Sequence, residues 1–390
     1  MPAMPGLFCG LISGGPSCGE LTSYTITLNA LRYLPFAVRG LRRKGPPLHL
    51  TLFVTGACNL RCRHCFHFKE VAEGLSGPSL DEVRRLADSA ARMGPLLWVS
   101  FGGGEPFLRP DLAELAGAFG RHGLRHLAIP TNGMVERTQH QQVQNILRAA
   151  PETFLSISVS IDGPPEIHDA IRAEEGSHAR AIESLLEYRR QADREERLGL
   201  GITVTLTSEN QDCLPEYIEE LARKVRPDNI TLGLARHKAL DESLLKVDLD
   251  RYQELVAAKA RLMRSGQLAY FDFPLAKVAA ARDEMMYRHV EGVARGGGAW
   301  LPCTAGSLSA VIFEDGVVQP CEVLGATIGN LAETDWDLER LWNSERASEL
   351  RRKIRDTRCT CTYECAQGDN VLFRPASWPR LGRALLAKRP

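Results

Sequence analysis

Between residues 48 and 240, short apolar runs alternate with longer segments in which apolar residues recur at helical spacing. Such runs, bounded by polar turns, predict buried strands, and the longer segments predict helices. We predict strands at 48–54, 96–101, 126–130, 154–161, 200–207 and 230–234, and helices at about 79–91, from 111, and at 139–150, 177–193 and 213–224. Strands joined by single helices are parallel, so this order indicates a partial barrel of six βα units or a doubly wound open sheet.

The composition excludes several other classes of protein. The chain has 390 residues, of which 44% are hydrophobic and 25% charged, as in globular and unlike disordered or fibrous proteins. The 48 Lys and Arg balance the 48 Asp and Glu, so no bulk charge favours nucleic-acid binding. No apolar run approaches the ~18 residues that span a bilayer, and residues 1–19 lack the pattern of a secretory signal. We therefore expect a cytoplasmic protein.

Two segments depart from this charge balance. Residues 31–47 and 374–390 each contain five basic residues and no acidic one, interleaved with bulky apolar side chains. This mixture favours peripheral docking on an anionic membrane, but it is equally typical of solvated arms that pack on their own domain. Both interpretations stay open.

Three cysteines follow the first predicted strand at the spacing C-x3-C-x2-C: Cys58, Cys62 and Cys65. Three thiolates in one loop can hold three irons of a cubane cluster and leave the fourth iron open to a chelating molecule. The alternative is a zinc site that includes His64. Because His64 lies between Cys62 and Cys65, closing all four ligands around one ion would be cramped. Cys9, Cys18 and Cys213 belong to no cluster.

Other sharp motifs follow later strands, namely Gly103-Gly104-Glu105-Pro106, Thr131-Asn132-Gly133 and Asp162-Gly163. In barrels and open sheets alike, ligands bind beyond the carboxyl ends of the parallel strands. Glycines allow a close approach of the backbone, and Glu105 offers a carboxylate to a cationic amino group. These motifs and the cysteine loop therefore predict one site at that edge of the sheet.

The cysteine loop and the Gly-Gly-Glu turn together resemble the radical S-adenosylmethionine (radical SAM) superfamily, with His64 at the usually aromatic position of C-x3-C-x-φ-C. The resemblance implies a [4Fe–4S] cluster whose open iron is chelated by S-adenosylmethionine. It further implies reductive cleavage of that cofactor to a 5′-deoxyadenosyl radical, which abstracts hydrogen from a substrate. The cofactor-binding residues would then include Gly103, Gly104 and Glu105.

Further cofactor contacts follow from the same resemblance. One stretch is similar to the S-x-D-G…H-D-x-x-R pattern of members with an auxiliary cluster, and its residues are Ser160, Asp162, Gly163, His168, Asp169 and Arg172. Ser160 and Arg172 would lie near the adenosylmethionine, whereas Asp162 orders the loop or forms an ordinary turn. Asn132 matches a family turn after strand three. Arg236, just past strand six, could meet the cofactor carboxylate or a substrate.

A second set of cysteines flanks a predicted β-hairpin at 309–313 and 317–319: Cys303, Cys321, Cys359, Cys361 and Cys365. Cys303, Gly316 and Cys321 resemble the C-x9–15-G-x4-C opening of the SPASM auxiliary domain. Five thiols suffice for one auxiliary [4Fe–4S] cluster with a thiol to spare, as in the shortened "twitch" version. We expect Cys359 or Cys361 to be the spare, and structural zinc remains the alternative.

The predicted fold is therefore α/β, a partial (β/α)6 TIM-like barrel followed by a small cysteine-rich auxiliary domain. Its segments are an N-terminal basic and apolar extension (1–47), the core barrel (48–240), a helical bridge (241–298), the SPASM/twitch-like domain (299–370) and a basic tail (371–390).

The expected function is peptide or other natural-product maturation, because members with this auxiliary domain most often modify ribosomally made peptides. The alternatives are a lipid or aminosugar substrate and, in another class, a non-catalytic iron–sulfur carrier or a zinc-stabilised interaction protein. The resemblance also implies an electron donor such as flavodoxin or ferredoxin. No residue pattern singles out the catalytic acid or base, the substrate, or the oligomeric state.

Overall fold

The computed structural model describes residues 31–42, 45–134, 137–297 and 301–386. Six strands form where the apolar runs predict them, and the strand bounds are β1 His49–Thr55, β2 Trp98–Gly103, β3 His126–Thr131, β4 Phe154–Ser160, β5 Leu198–Leu206 and β6 Asn229–Leu234. Three short strands follow in the C-terminal region: β7 Ser309–Ile312, β8 Val317–Gln319 and β9 Gly329–Asn330. The prediction of an α/β chain with alternating strands and helices is confirmed.

The helices of the barrel region are α1 Leu34–Arg42, α2 Phe68–Glu73, α3 Leu80–Met93, α4 Leu112–Gly120, α5 Arg137–Ala149, α6 Pro165–Arg172, α7 Ser177–Ala192 and α8 Leu214–Val225. Those that follow are α9 Leu249–Arg264, α10 Ala276–Ala294, α11 Leu338–Trp342, α12 Glu345–Asp356, α13 Glu364–Leu372 and α14 Trp378–Leu386. Short 3-10 turns lie at Pro106–Leu108, Glu242–Leu245, Leu331–Thr334 and Pro375–Ser377. None of the described helices is long and apolar enough to cross a membrane.

The described strands form one sheet in the order β6-β5-β4-β3-β2-β1-β7-β8-β9. Neighbours from β6 to β1 are parallel and in sequence order, as repeated βα units require. The carboxyl ends of β1 to β6 consequently lie at one edge, where the predicted site motifs follow the strands. The partial barrel is the fold that the alternation predicted.

One feature of the sheet was not predicted. β7 pairs in parallel with β1, and β8 and β9 continue the same sheet as antiparallel strands. The hairpin itself forms as its Asp315-Gly316 turn predicts, with Gly316 at φ +83°. The C-terminal cysteine region is thus hydrogen-bonded through β7 to β1, the first barrel strand. The division into five segments stays a prediction.

One buried cluster forms the main core. Leu50, Leu52 and Val54 of β1 are fully buried and belong to the same cluster as Val83 and Leu86 of α3. Because strand side chains alternate between faces, the next residues of β1 point to the other side of the sheet. There, His49 Nε2 lies 3.4 Å from Ser100 Oγ, and His49 Nδ1 lies 3.2 Å from Asp369 Oδ2 of α13.

Some predictions concern residues outside the described ranges. These are Cys9 and Cys18 with the rest of residues 1–30, part of the basic run at 43–44, residues 298–300, and the last basic residues of the tail at 387–390. Residues 241–295 are largely helical, as predicted, in α9 and α10. Helix α6 was not predicted, although Pro165 at its first turn is a recognised start signal.

Candidate active site and auxiliary cysteine site

The cysteine loop begins where β1 ends and is held in place by backbone and amide hydrogen bonds. Gly56 N donates to Leu75 O at 2.7 Å, and Arg63 N donates to Ile171 O at 2.8 Å. Asn59 Nδ2 donates to Met134 O at 3.0 Å, and Asn59 Oδ1 accepts from Asn132 Nδ2 at 2.7 Å. The loop is therefore tied to the turn that follows β3.

Cys58, Cys62 and Cys65 are partly buried and close enough to influence one another. Burial raises the pKa of Cys58 and of Cys65 to about 11, and the neighbouring Cys62 thiolate raises both further. Thiols placed so that deprotonation is unfavourable require a nearby cation to become thiolates. This donor set fits an iron–sulfur cluster, whose irons supply that positive charge.

His64 takes a different orientation from the thiols. Its Nε2 lies 3.8 Å from Asp162 Oδ2, and its buried Nδ1 has no hydrogen-bond partner. Burial lowers the pKa of His64 to about 4, so the ring is neutral at physiological pH. Across the described residues, no group of three or more His, Cys, Asp or Glu side chains is arranged to hold a single metal ion. A cubane assigns each thiolate to a different iron, whereas a zinc site closes four ligands around one ion.

An ion pair between Arg172 and Asp162 lies next to Cys62. Arg172 donates to Asp162 Oδ2 from Nε at 2.7 Å and from a terminal nitrogen at 2.6 Å. Another terminal nitrogen lies 3.7 Å from Cys62 Sγ. Burial raises the pKa of Cys62, and the Arg172 charge opposes that increase. The predicted cofactor residue Arg172 thus touches a cluster cysteine, and Asp162 neutralises it.

Glu105 links the turns after β2 and β3. It is almost completely buried and accepts from Phe107 N at 3.1 Å, Thr131 Oγ1 at 2.9 Å and Asn132 N at 2.7 Å. Burial raises the pKa of Glu105 to about 7, while the hydrogen bonds from Asn132 and Phe107 lower it. The protein itself therefore donates three hydrogen bonds to this carboxylate, which links the turns of the predicted site.

The two glycines of the Gly-Gly-Glu turn pack against the start of the cysteine loop. A Cβ atom on Gly103 would lie 2.1 Å from Thr55 O, and one on Gly104 would lie 2.1 Å from Ala57 O. Gly104 N donates to Thr55 O at 2.7 Å, and Glu105 N donates to Ala57 O at 2.8 Å. The glycines are required here for the contact between two backbone segments.

Gly104→Ala is therefore expected to displace the cysteine loop and to reduce the iron bound by Cys58, Cys62 and Cys65 severely. The measurement is iron and sulfide content after anaerobic reconstitution. Gly382→Ala is the matched control, because a Cβ at Gly382 of α14 would meet nothing within 4 Å. Equal iron content in the two variants would contradict the role assigned to Gly104.

Ser160 and Arg236 occupy different parts of the site. Ser160 is the last residue of β4 and pairs with Thr203 of β5, so it lies at the carboxyl edge of the sheet. Arg236 follows β6, donates to Leu234 O at 3.0 Å and forms an ion pair with Glu364 of α13. Its guanidinium also lies 5.0 Å from the centre of the Tyr363 ring. Arg236 thus contacts the auxiliary cysteine region.

Four of the five auxiliary cysteines interact with one another. The Cys303 thiol donates a hydrogen bond to Cys359, which raises the pKa of Cys303 and lowers that of Cys359 to about 7. The Cys359 and Cys361 thiolates both raise the pKa of the largely buried Cys321 beyond the effect of burial. Gln367 Nε2 lies 3.8 Å from Cys361 Sγ. These four thiols form a donor set that fits one cubane cluster.

Cys365 has different neighbours. It is solvent-exposed in the first turn of α13, and the Tyr363 hydroxyl is within hydrogen-bond distance of both Cys365 and Glu322. Glu322, Glu364 and Arg236 are its main charged neighbours. Glu322, Tyr363 and Glu364 were not predicted as site residues, although the position of Glu364 between Cys361 and Cys365 was a usable signal.

Comparison with known families agrees with this arrangement of two cysteine sites. The family model described as "Radical SAM superfamily" matches residues 52–221, and the SPASM model, described as "Iron-sulfur cluster-binding domain", matches residues 303–366. The first implies a [4Fe–4S] cluster with S-adenosylmethionine, and the second implies auxiliary iron–sulfur clusters.

The curated relatives fall into two groups by name: synthases of coproporphyrin and heme compounds, and enzymes that modify peptides. The chain is 30% identical to Fe-coproporphyrin III synthase of Methanosarcina barkeri, covering 51% of this chain and 48% of that protein. It is 27% identical to pre-heme d1 synthase of Dinoroseobacter shibae over 85% of this chain and 83% of that protein. It is 29% identical to PqqA peptide cyclase of Rhodopseudomonas palustris over 61% of each. The match thus spans about half of the first relative and less than two thirds of the third.

Solved structures share the fold. Streptococcus suis SuiB bound to its precursor peptide SuiA superposes with a TM-score of 0.58 at 15% identity, covering 89% of this chain and 75% of that chain. At this identity the likeness concerns the fold alone.

Proposed function

The chain belongs to the radical SAM superfamily and carries a SPASM iron–sulfur domain, and from that premise we propose that it cleaves S-adenosylmethionine reductively to abstract hydrogen from a substrate. The convergence of Cys58, Cys62 and Cys65 beside the Gly104-Glu105 turn is the observation that carries the proposal. A simple electron carrier would not need a buried carboxylate at the edge of that loop.

A reduced [4Fe–4S] cluster would supply one electron to the sulfonium of S-adenosylmethionine, whose C5′–S bond would break to give methionine and a 5′-deoxyadenosyl radical, while the protein supplies binding and orientation. Cys58, Cys62 and Cys65 would hold three irons. Arg172 favours the thiolate form of Cys62, which iron requires. An ammonium group beside Glu105 would lower the pKa of its carboxyl, so the ionised form would bind the amino group of the cofactor.

The test is anaerobic reconstitution with iron and sulfide, reduction with dithionite and detection of 5′-deoxyadenosine by liquid chromatography. Product formed from S-adenosylmethionine, with or without a candidate substrate, supports the proposal. Its complete absence from protein with a full iron content would overturn the enzymatic function in favour of an electron carrier.

We infer a peptide as the substrate class. The support is similarity to PqqA peptide cyclase and to relatives named mycofactocin maturase, together with a fold shared with SuiB, whose structure holds a precursor peptide. A tetrapyrrole is the second candidate, favoured by the 85% coverage in the match to pre-heme d1 synthase. Lipid and aminosugar substrates remain alternatives without such support.

A direct assay distinguishes the peptide from the tetrapyrrole as the substrate. Reconstituted enzyme is incubated with short peptides encoded beside its gene, or with iron coproporphyrin III, and products are analysed by mass spectrometry. Loss of hydrogen from a peptide, dependent on S-adenosylmethionine, supports the peptide. Conversion of the porphyrin instead would overturn it.

For the auxiliary site, we propose that Cys303, Cys321, Cys359 and Cys361 hold one cluster and that Cys365 is the spare thiol. Protein lacking Cys58, Cys62 and Cys65 is expected to retain about one cubane equivalent of iron and sulfide. Adding Cys359→Ala should remove most of it, because Cys359 directly contacts Cys303. Adding Cys365→Ala should leave it. Zinc in place of iron, or the reverse effect of the two substitutions, would contradict this assignment.

An electron donor of the flavodoxin or ferredoxin type, and a cytoplasmic location, complete the proposal. They follow from the need for single electrons at low potential and from cysteines kept reduced in that compartment. The functional assay distinguishes a protein donor from dithionite by adding reduced flavodoxin alone.

A further part of the proposal is peripheral membrane contact through the two basic ends, which lie on one face. Phe36 of α1 and Phe373, directly after α13, are buried in one small cluster with Leu48 and Leu308. Tyr33 OH lies 3.0 Å from Nε2 of His126, the first residue of β3. This face is therefore at the amino ends of the strands, opposite the cysteine loop.

The surface of this face is both apolar and basic. Its exposed apolar side chains include Leu34 at 58% and Leu385 at 48%, with Leu31, Val38 and Trp378 also exposed. Arg32, Arg380 and Arg383 are exposed beside them. The ion pair of Arg380 with Glu284 at 3.4 Å is exposed and therefore weak. This chemistry is complementary to anionic lipid headgroups.

Leu34→Glu combined with Leu385→Glu is expected to lower flotation with vesicles of phosphatidylcholine and phosphatidylglycerol at least several-fold. The added charges repel anionic lipid and cannot insert. Leu240→Glu is the matched control, since Leu240 is 52% exposed but lies between β6 and α9. Flotation that is absent in the unmodified protein, or equal in all three proteins, would contradict membrane contact.

A further inference from the structure

A second cavity lies outside the candidate active site. Helices α9 and α10 and the segment between them line a half-open cavity of about 490 Å³, a volume typical of sites for small organic ligands. Phe271 on its wall has its ring centre 6.1 Å from that of Phe154, the first residue of β4. The cavity is therefore at the amino end of the strands, whereas the cysteine loop follows the carboxyl end of β1.

The lining is small and apolar on most sides. Alanines provide much of the wall, and their short side chains leave room for a ligand. The apolar lining residues include Ala260, Met263, Leu268 and Ala280. Ala384 of α14 also borders the cavity. Such a lining suits an apolar ligand body and offers it few hydrogen bonds.

Lys259 is the most deeply buried of the charged side chains in this lining, which also include Arg264, Lys277, Asp283 and Glu284. Its side chain is only 3% exposed, and Nζ lies 3.4 Å from Tyr287 OH and 4.8 Å from the centre of that ring. Among the described residues, no carboxylate lies within 4.0 Å of this ammonium group. A buried ammonium compensated by only a long hydrogen bond and an aromatic face is costly to maintain.

The nearest acidic side chain is already engaged. Asp283 borders the same cavity, but Arg282 forms an ion pair with it at 2.6 Å, and Tyr270 OH donates to it at 2.8 Å. Burial lowers the pKa of Lys259 to about 8, and Asp283 opposes that decrease, so the ammonium form persists at neutral pH. Among the described residues that line the cavity, Lys259 is thus the one buried cation, whereas Lys277 is half-buried and Arg264 is exposed.

We propose that this cavity binds an apolar molecule with a single carboxylate, which receives a charge-assisted hydrogen bond from Lys259. The carboxylate would supply the anionic partner that Lys259 lacks in the described structure, and the alanine-lined volume would take the apolar body. The site is independent of the proposed radical chemistry.

Isothermal titration calorimetry of the reconstituted full chain with decanoate, below its micelle concentration, tests this site. Decanol is the neutral comparison with the same chain. Decanoate is expected to bind at least about tenfold more tightly than decanol, since a hydrogen bond to a charged group is worth about 1.5–3 kcal/mol.

Variants assign the effect to the cavity. Lys259→Met should lower the affinity for decanoate to that for decanol and leave the affinity for decanol unchanged. The substitution should not lower the stability of the protein, because it removes a buried charge. Ala280→Phe should weaken both probes by filling the volume. Lys246→Met, at an exposed lysine, is the control and should change neither.

Three outcomes overturn the proposal: no binding of decanoate to the unmodified chain at millimolar concentration, decanoate affinity unchanged by Lys259→Met, or decanoate affinity unchanged by Ala280→Phe. Formation of 5′-deoxyadenosine is measured in every variant and should remain at the unmodified level, which shows that the protein is folded. Loss of decanoate binding with intact cofactor cleavage separates this site from the proposed function.

Discussion

Replacing Cys58, Cys62 and Cys65 together by alanine is expected to abolish formation of 5′-deoxyadenosine in the reduced protein. The three thiols are the donor set of one loop, and burial together with mutual repulsion makes them poor thiolates unless a cation is present. Removing them leaves no ligands for the irons that the cofactor requires. The measurement is 5′-deoxyadenosine per chain under dithionite, together with iron content.

Cys213→Ala is the matched control for that triple substitution. Cys213 is also partly buried, but it precedes α8, and its thiol donates to Asn210 O at 3.3 Å. Its removal should leave cofactor cleavage unchanged. Cleavage that survives in the triple variant would mean that the radical is generated at the other cysteine set.

Asp162→Ala is expected to lower the free energy of unfolding by about 3–5 kcal/mol, because it leaves a buried guanidinium without its partner. Asp162 is 0% exposed and Arg172 7% exposed, with two hydrogen bonds of 2.6 and 2.7 Å between them. Asp162 Oδ1 also accepts from Thr205 N at 3.1 Å. The measurement is equilibrium urea unfolding of cluster-free protein, followed by circular dichroism.

The comparison for this prediction is an exposed ion pair of similar length. Arg190 and Glu187 are 2.5 Å apart on α7, with Arg190 62% exposed, so Glu187→Ala should cost less than about 1 kcal/mol. The Asp162 variant should also reconstitute less iron, since Arg172 then loses its orientation toward Cys62. A change in stability no larger than that of Glu187→Ala would contradict the buried pair's structural role.

The sequence predicted the strands of the barrel well and their ends less well. β5 begins two residues before the predicted start, because Gly199 is a weak strand former on propensity alone. Gly199 fits in the sheet because the Phe271 ring occupies the space where a side chain at position 199 would be. That contact comes from a distant segment, so no local pattern contains it.

The candidate site, too, was predicted only in part from the sequence. The spacing of Cys58, Cys62 and Cys65 predicted a cluster loop because its ligands are neighbours along the chain. The partners of that loop are distant: Arg172 reaches Cys62 across 110 positions, and Asn132 reaches Asn59 across 73. Motif resemblance named Arg172 and Asn132, but only the fold indicates what each one touches.

The auxiliary region depended most on tertiary structure. From the sequence, Cys359 or Cys361 was expected to be the spare thiol, whereas in the fold these two lie among the other cysteines and Cys365 lies beside Tyr363. Which of the five thiols hold the cluster stays a prediction for the iron measurements.

What the sequence determined by itself was therefore the alternation of strands and helices, the chemistry of each cysteine set and the basic character of both ends. These properties depend on residues that are close together along the chain. Tertiary structure alone decided the pairing of β7 with β1, the Asp162–Arg172–Cys62 contact and the enclosure of Lys259. Such contacts depend on strand register and on how crossover helices pack, and neither is encoded in local spacing.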